Sequence, residues 1–263
     1  MVPRIKALLP EGLEPVVLKI WSSLRPLTKL LFFGRNRYCS ICESSTRFFL
    51  SYDTPAQKRK DVICPVCLSH ERHRQAWIFL ESCTDIGDGS SKRLLHLAPE
   101  HNFAGRLKAM AGVEYVSADI ESPRAMVKMD IASMPWPEGS FDVLFCSHVL
   151  EHVPDDRAAM DEMFRVLKPG GWALILVPVS AEDTREDPEI LDSVERARLF
   201  WWTDHIRLYG LDISERLAAC GFEVETIFTH QFVEPEDCKR MRINGHDPLF
   251  FCRKSTRGVT QDT

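Results

Sequence analysis

The chain has 263 residues, of which 44% are hydrophobic, 27% charged and 10% aromatic, excluding collagen-like, coiled-coil and wholly disordered readings. Its net charge of −5 is unevenly spread: residues 1–80 carry 13 Lys and Arg against 6 Asp and Glu, and the remainder 20 against 32. So acidic a second part is a poor sequence-independent binder of nucleic acid. The length suits one full-sized domain plus a small module.

Residues 1–20 contain Pro3, Pro10, Glu11, Glu14 and Pro15 and lack a continuous apolar core, so no secretory leader is read there. The stretch from Leu13 to Phe33 is interrupted by Lys19, Arg25, Pro26 and Lys29, too broken for a spanning helix of about 20 apolar residues. A cytoplasmic protein is expected. Residues 1–37 read as a basic, apolar segment with one or two short helices broken at Pro15 and Pro26.

Residues 38–80 hold two Cys-x-x-Cys pairs and then a helical pattern. Cys39 and Cys42, with Cys64 and Cys67, have the spacing of two metal knuckles that together close a tetrahedral thiolate site. Thiolates and tetrahedral closure favour a structural Zn²⁺ in a zinc-ribbon-like module. A redox pair is the alternative, and it leaves the other pair unexplained. Cys83, Cys146, Cys220, Cys238 and Cys252 read as small buried hydrophobes. Around the module lie Arg35, Arg37, Arg47, Lys58, Arg59, Lys60, Arg72 and Arg74. They form either a solvated surface or a docking face for nucleic acid, an anionic membrane or the acidic second part.

A polar linker with Gly87, Gly89, Ser90 and Ser91 follows, and from Lys92 apolar runs alternate with helical patterns. Strands are predicted at 93–98, 113–119, 141–147, 171–179, 222–228 and 248–254, with a weak one near Val127 to Asp130. Helices are predicted at 102–110, 156–167 and 212–220, the last starting at an N-cap Asp212 and ending at Gly221. Strands and helices so interleaved imply an α/β doubly wound layout. Such a sheet binds its ligand beyond the carboxyl ends of its strands, where the strand order reverses. Asp119, at the end of the second strand, is placed to accept hydrogen bonds from a ribose.

The segment D…MPWPEGSFDVLFCSHVLEHVPDDRAAMDEMFRVLKPGGWALILVPV resembles the class I S-adenosylmethionine-dependent methyltransferases, and the likeness runs from about Arg93 to Val179. The resemblance implies a Rossmann-like, doubly wound seven-stranded sheet over 92–254 and bound S-adenosylmethionine; residues 255–263 are expected to be a disordered tail. It also implies Asp119 and Ile120 at the ribose, Asp130 and Ile131 beside the adenine, and Ser147 and His148 under the methionine part. One departure stands out. Where the family carries an acidic residue and a Gly-x-Gly turn, this chain has His96, Leu97, Ala98, Pro99 and Glu100. Either Glu100, oriented by His96, pairs with the cofactor's ammonium group, or the pocket is impaired, or it takes another small ligand.

Methyl transfer to a hydroxyl needs alignment and a base. His148 and His152 are candidate bases, with a packing role the alternative for His152. A second constellation, Trp202, Asp204, His205, Arg207 and Tyr209, reads as an acceptor site: an Asp-His pair orients a base, an Arg binds an anion, and an indole faces a ring. The expected activity is methyl transfer to a small-molecule or sugar-type acceptor, with His148 and His205 catalytic. The rivals are an RNA methyltransferase gripping its substrate through the basic zinc module, and a non-catalytic interaction protein. The sequence leaves the oligomeric state open.

Overall fold

The computed structural model describes residues 20–53 and 58–256. Pro15 and most of the tail expected at 255–263 therefore lie outside the described residues. The chain divides into two compact units: residues up to Thr84 joined by Thr229–His246, and Asp85–Phe228 joined by the chain from Asp247. The boundary differs from the sequence expectation, because 229–246 leaves the 92–254 block and joins the cysteine-bearing unit.

In that unit, the helical residues 20–23 stop at a turn at Leu24, so the break expected at Pro26 is present. Pro26 lies in the first turn of the next helix, α1 (Arg25–Leu31), where proline's missing N–H costs nothing. Strands β1 (Phe33–Cys39) and β2 (Ser44–Thr46) pair antiparallel, as do β3 (Leu50–Asp53) and β4 (Lys58–Ile63). Helix α2 (Glu71–Cys83) follows, burying Ala76, Trp77, Phe79 and Leu80. Arg74 on this helix is also fully buried. It donates to the carbonyls of Met241 (2.7 Å), Ser69 (2.9 Å) and Val62 (2.8 Å), and its guanidinium lies 4.5 Å from the Phe49 ring centre.

The second unit is an α/β sandwich. Its chain runs β5 (Lys92–Leu97), α3 (His101–Ala109), β6 (Val113–Asp119), β7 (Val127–Lys128), β8 (Phe141–Ser147), α4 (Asp156–Val166) and β9 (Leu167–Leu176). Then come β10 (Val179–Ala181), β11 (Arg185–Glu186), α5 (Ser193–Phe200), β12 (Arg207–Gly210), α6 (Ile213–Ala219) and β13 (Glu223–Phe228). Helix α7 (Pro235–Met241) belongs to the first unit, and β14 (Pro248–Arg253) returns to the second.

The seven-stranded sheet has the order β13-β14-β9-β8-β5-β6-β7. All neighbours are parallel except β14, which is antiparallel to both β9 and β13. This is the Rossmann-like doubly wound sheet expected. Strand order reverses between β5 and β8, so the ligand crevice lies beyond their carboxyl ends. Both faces are covered, which is why β5 and β8 are buried along nearly their whole length. Helix α4 buries Ala159, Met160, Met163 and Val166 on one face, and Asp155 caps it by accepting from Ala158 N at 2.9 Å.

Three details depart from expectation. The run 171–179 is not one strand: β9 begins at Leu167 and ends at Leu176, and Val179 enters a separate sheet, β10-β12-β11. Asp212 stands at the N-cap of α6 as expected, but its side chain makes no capping bond, its Oδ1 accepting from Thr184 Oγ1 at 2.6 Å instead. Cys83 is exposed rather than buried. Gly221 does follow α6 in the left-handed region (φ 106°), where a Cβ would meet the Phe164 ring at 2.8 Å.

Candidate active site

Two non-glycine residues stand in the left-handed region immediately after neighbouring strands: Ala98 (φ 48°) after β5 and His148 (φ 55°) after β8. Each is pinned by a backbone hydrogen bond, Ala98 N to Ala118 O at 2.8 Å and His148 N to Leu176 O at 2.8 Å. Left-handed backbone without glycine is strained, and strain gathers where a ligand or reaction demands a shape. Both lie at the reversal point of the sheet. Ala98 thus adopts a backbone conformation that glycine takes without strain, and Pro99 and Glu100 lead directly into α3.

The acids surround the same crevice. Asp119, half-buried at the end of β6, accepts from Glu121 N and Ser122 N through Oδ1, both at 2.7 Å, leaving Oδ2 for a ligand. Asp130 is exposed and its Oδ1 holds Ala132 N at 2.9 Å. Ile120 is exposed, Ile131 is buried, and Ser147 is buried at the end of β8.

His96 is not available to a ligand. It is fully buried, its ring packs against Phe103 and Phe145, and its Nδ1 lies 3.0 Å from the Tyr115 hydroxyl. Burial pulls its pKa down to about 4, against the opposing charge of Glu100. The folded-state pKa lies below the ordinary 6.5, so the unfolded chain takes up this proton first. The stability tied to a neutral His96 is therefore complete above pH 6.5 and is lost as pH falls towards 4, by about 3 kcal/mol in all. Urea midpoints of the parent and His96→Phe across that range should show a shallower pH slope in the variant. Parallel slopes would remove His96 from the account.

Beyond β8, a short 3-10 turn at Leu150–His152 carries a residue that sequence reasoning missed. Glu151 is fully buried, with His148 Nδ1 at 3.1 Å and His205 Nε2 at 4.0 Å from its Oε1. Burial pushes its carboxyl up; the close approach of His148, with the charges of His148, His152 and His205, more than reverses this and leaves it lowered. His205 is buried, and its Nδ1 faces Phe200 O at 2.8 Å. Burial holds its pKa below the usual value. The His152 and His205 rings stand edge to face with centres 4.7 Å apart, and His152 Nδ1 lies 3.6 Å from Oδ1 of the exposed Asp204. The histidines expected at the site are thus together, around a carboxylate.

Arg207 and Tyr209 are corrected. Arg207 is 4% exposed and Tyr209 is fully buried, so neither faces an acceptor. Arg207 donates to the carbonyls of Leu150 (2.8 Å), Val153 and Pro154 (3.0 Å) and to Glu186 Oε2 (3.0 Å), with Asp156 Oδ2 at 3.6 Å. Tyr209 donates its hydroxyl to Asp156 Oδ2 at 2.7 Å. Trp202 is half-buried.

In the other unit, Cys39, Cys42, Cys64 and Cys67 converge as free thiols. Sulfur–sulfur distances are 3.6 Å for Cys39–Cys67 and 3.7 Å for Cys42–Cys64. The Val66 amide donates to Cys64 Sγ at 3.4 Å, and Ser69 Oγ lies 3.1 Å from Cys39 Sγ. Much of the expected basic face is spent internally. Arg37 pairs with Asp61, Arg59 with Glu71, and Arg74 is buried, whereas Arg35, Lys58 and Lys60 are exposed.

Residues 84–175 match the methyltransferase domain family. The chain is 38% identical over 107 residues to an uncharacterized methyltransferase of Mycobacterium sp. (strain JLS), covering 36% of this chain and 42% of the relative. It is 32% identical over 127 residues to a probable S-adenosylmethionine-dependent methyltransferase of Mycolicibacterium smegmatis, covering 45% of each. The chain thus spans less than half the length of these relatives. Among solved structures, the 1,6-didemethyltoxoflavin-N1-methyltransferase of Burkholderia thailandensis superposes with a TM-score of 0.47 at 16% identity, over 70% of this chain and 78% of that one. The matched segment is a methyltransferase domain of the S-adenosylmethionine-dependent kind. Among the described residues, no helix is long and apolar enough to cross a membrane.

Proposed function

We propose that the whole protein transfers a methyl group from S-adenosylmethionine to a hydroxyl of a small-molecule or sugar-type acceptor, in the cytoplasm. The observation that carries this reading is the pair of left-handed residues, Ala98 and His148, flanking the reversal point inside the methyltransferase domain, with carboxylates at the ends of the adjoining strands. The residues fit the cofactor's polar groups. Asp119 Oδ2 takes the ribose hydroxyls with Ile120 beside them, and Asp130 and Ile131 border the adenine. Ser147 and His148 line the methionine part, and Glu100 takes its ammonium group.

When bound, S-adenosylmethionine supplies a methyl group on a cationic sulfur. The protein's own part is alignment and proton removal. His148 is held on the rim by its backbone bond to Leu176 and takes the acceptor's proton. The acidic balance after residue 80 and the internal pairing of the module's arginines weigh against a nucleic-acid acceptor.

Asp119→Asn tests the cofactor assignment. The asparagine carbonyl keeps the two turn amides satisfied, and the charged acceptor is lost. Hydrogen bonds to charged groups are worth about 1.5–3 kcal/mol, so calorimetry should read at least about tenfold weaker S-adenosylmethionine binding, with little change in melting temperature. Unchanged affinity would remove Asp119 from the site, and no binding by the parent would remove the reading itself.

The four cysteines hold a structural Zn²⁺. A zinc with bonds of about 2.3 Å to four sulfurs sets them about 3.8 Å apart, close to the spacings present, and the amide bond onto Cys64 suits a thiolate.

A further inference from the structure

The geometry points to a second metal site, unrelated to the cysteines: Glu151, His152 and His205 bind a divalent transition-metal cation that holds the acceptor's hydroxyl oxygen beside the methyl donor. This rests on the methyltransferase reading for the acceptor's role, though not for the metal.

The first support is the state of Glu151. Both carboxylate oxygens are buried and, among the described residues, neither receives an aligned hydrogen bond. The closest cationic neighbour is His148, its Nδ1 3.1 Å from Oε1, which leaves Oε2 unanswered. A buried carboxylate left without hydrogen bonds is costly, and a coordinated cation is one way such a charge is kept. Arg207, which bonds the carbonyl of the preceding Leu150, does not answer it, since it spends its donors on three carbonyls and Glu186.

The second support is the donor set. One atom each from Glu151, His152 and His205 lie within 4.8 Å of one another, a spread that small side-chain rotations bring onto a cation with bonds of about 2.0–2.2 Å. Two imidazoles and one carboxylate leave coordination positions open, as a site that binds a reacting oxygen requires. Imidazole donors favour Zn²⁺, Co²⁺ or Fe²⁺ over Mg²⁺ and Ca²⁺.

The third support is the surrounding shell. His205 faces the Phe200 carbonyl through Nδ1, which fixes the proton there and leaves the Nε2 lone pair pointing toward Glu151. His152 has Asp204 on its Nδ1 side, so its Nε2 is likewise the free donor. The two ligand-bearing segments are tied together by Ile206 N to Glu151 O at 3.1 Å and by Arg207 across the carbonyls of 150–154. Arg207 is on this account a positioning residue.

Bound to the cation, the acceptor hydroxyl gives up its proton to His148. An oxygen lone pair then forms the new C–O bond as the C–S bond breaks, its electrons returning to sulfur to leave a neutral thioether. The sulfonium methyl donor is the co-reactant.

The test uses the full chain with its cysteine site filled by zinc. Titration with Co²⁺ should add one cobalt per chain whose visible spectrum lacks the sulfur-to-metal charge-transfer band of thiolate ligation. His152→Ala, at a half-exposed side chain, and Glu151→Gln should each weaken that cobalt at least about tenfold, circular dichroism confirming that they fold. Absence of a second cobalt up to about 1 mM in the parent, or equal affinity in a folded His152→Ala, overturns the site. S-adenosylmethionine binding is measured on the same samples. Cofactor binding without cobalt sinks the metal site alone, and cobalt without cofactor sinks the methyltransferase reading and the acceptor's role while leaving the metal site standing.

Discussion

Arg207→Ala should destabilise the second unit by at least about 3 kcal/mol, because it strips a charged donor from three carbonyls, each such bond being worth about 1.5–3 kcal/mol. The guanidinium connects five groups at once: the carbonyls of Leu150, Val153 and Pro154, and the Asp156 and Glu186 carboxylates that Arg216 shares. Its removal leaves three carbonyls without their donor, while Asp156 keeps Tyr209 and Arg216 and Glu186 keeps Arg216. Arg207→Lys should recover little of this, because an ammonium is a compact point charge and lacks the guanidinium's planar fork of donors. Urea unfolding of zinc-loaded protein measures both variants. A loss below about 1 kcal/mol for the alanine variant would mean that water replaces the guanidinium, and the clamp would have to be abandoned.

If the cysteines hold zinc as proposed, chelation, or Cys42→Ser, should unfold the first unit while the seven-stranded sheet stays folded. Structural zinc contributes about 10–16 kcal/mol to zinc-finger peptides, and two-stranded sheets such as β1–β2 and β3–β4 are marginal by themselves. Hydrogen exchange is the direct readout: the Val66 amide, bonded to Cys64 Sγ, should lose its protection, whereas the Leu95 and Leu144 amides inside the large sheet should keep theirs. Unchanged protection at Val66 in metal-free protein would show that the knuckles stand on packing alone.

The large sheet was legible because its strands are apolar runs bounded by turn signals. β6 and β8 begin and end where their runs do, and β5 within a residue. Where an apolar run outlasts its strand the reading fails, as at 171–179, since nothing in Val179 itself announces that it pairs with Tyr209. The strands of the small unit escaped because they are short and polar, as in KRKDVI.

The acceptor-side reading failed at Arg207 and Tyr209 for a different reason. Polar residues in a sequence look the same whether they face a ligand or one another, and only the fold brings Asp156 and the 150–154 carbonyls to them. Glu151 was passed over for the converse reason. Set between apolar Leu150 and the noticed His152, it carried no signal of its own, although it lies three positions after His148, a spacing that lets the two side chains meet across a tight turn.

The excursion of residues 229–246 carries a consequence for how such a chain is inherited. Phe228 and Pro248 are paired neighbours in β13 and β14, so the excursion is an enlarged hairpin loop whose far end belongs to the other unit. That loop supplies the Met241 carbonyl to Arg74, the Thr229 hydroxyl to Gln75 and the Phe232 ring to Phe79. A gene rearrangement that carried off the first 84 codons would therefore deliver a module lacking part of its own interior. The sheet left behind would keep a loop shaped for a module it no longer had. The two units are separate as structures but form a single heritable piece, and the cysteine module should travel among related chains only together with the β13–β14 hairpin.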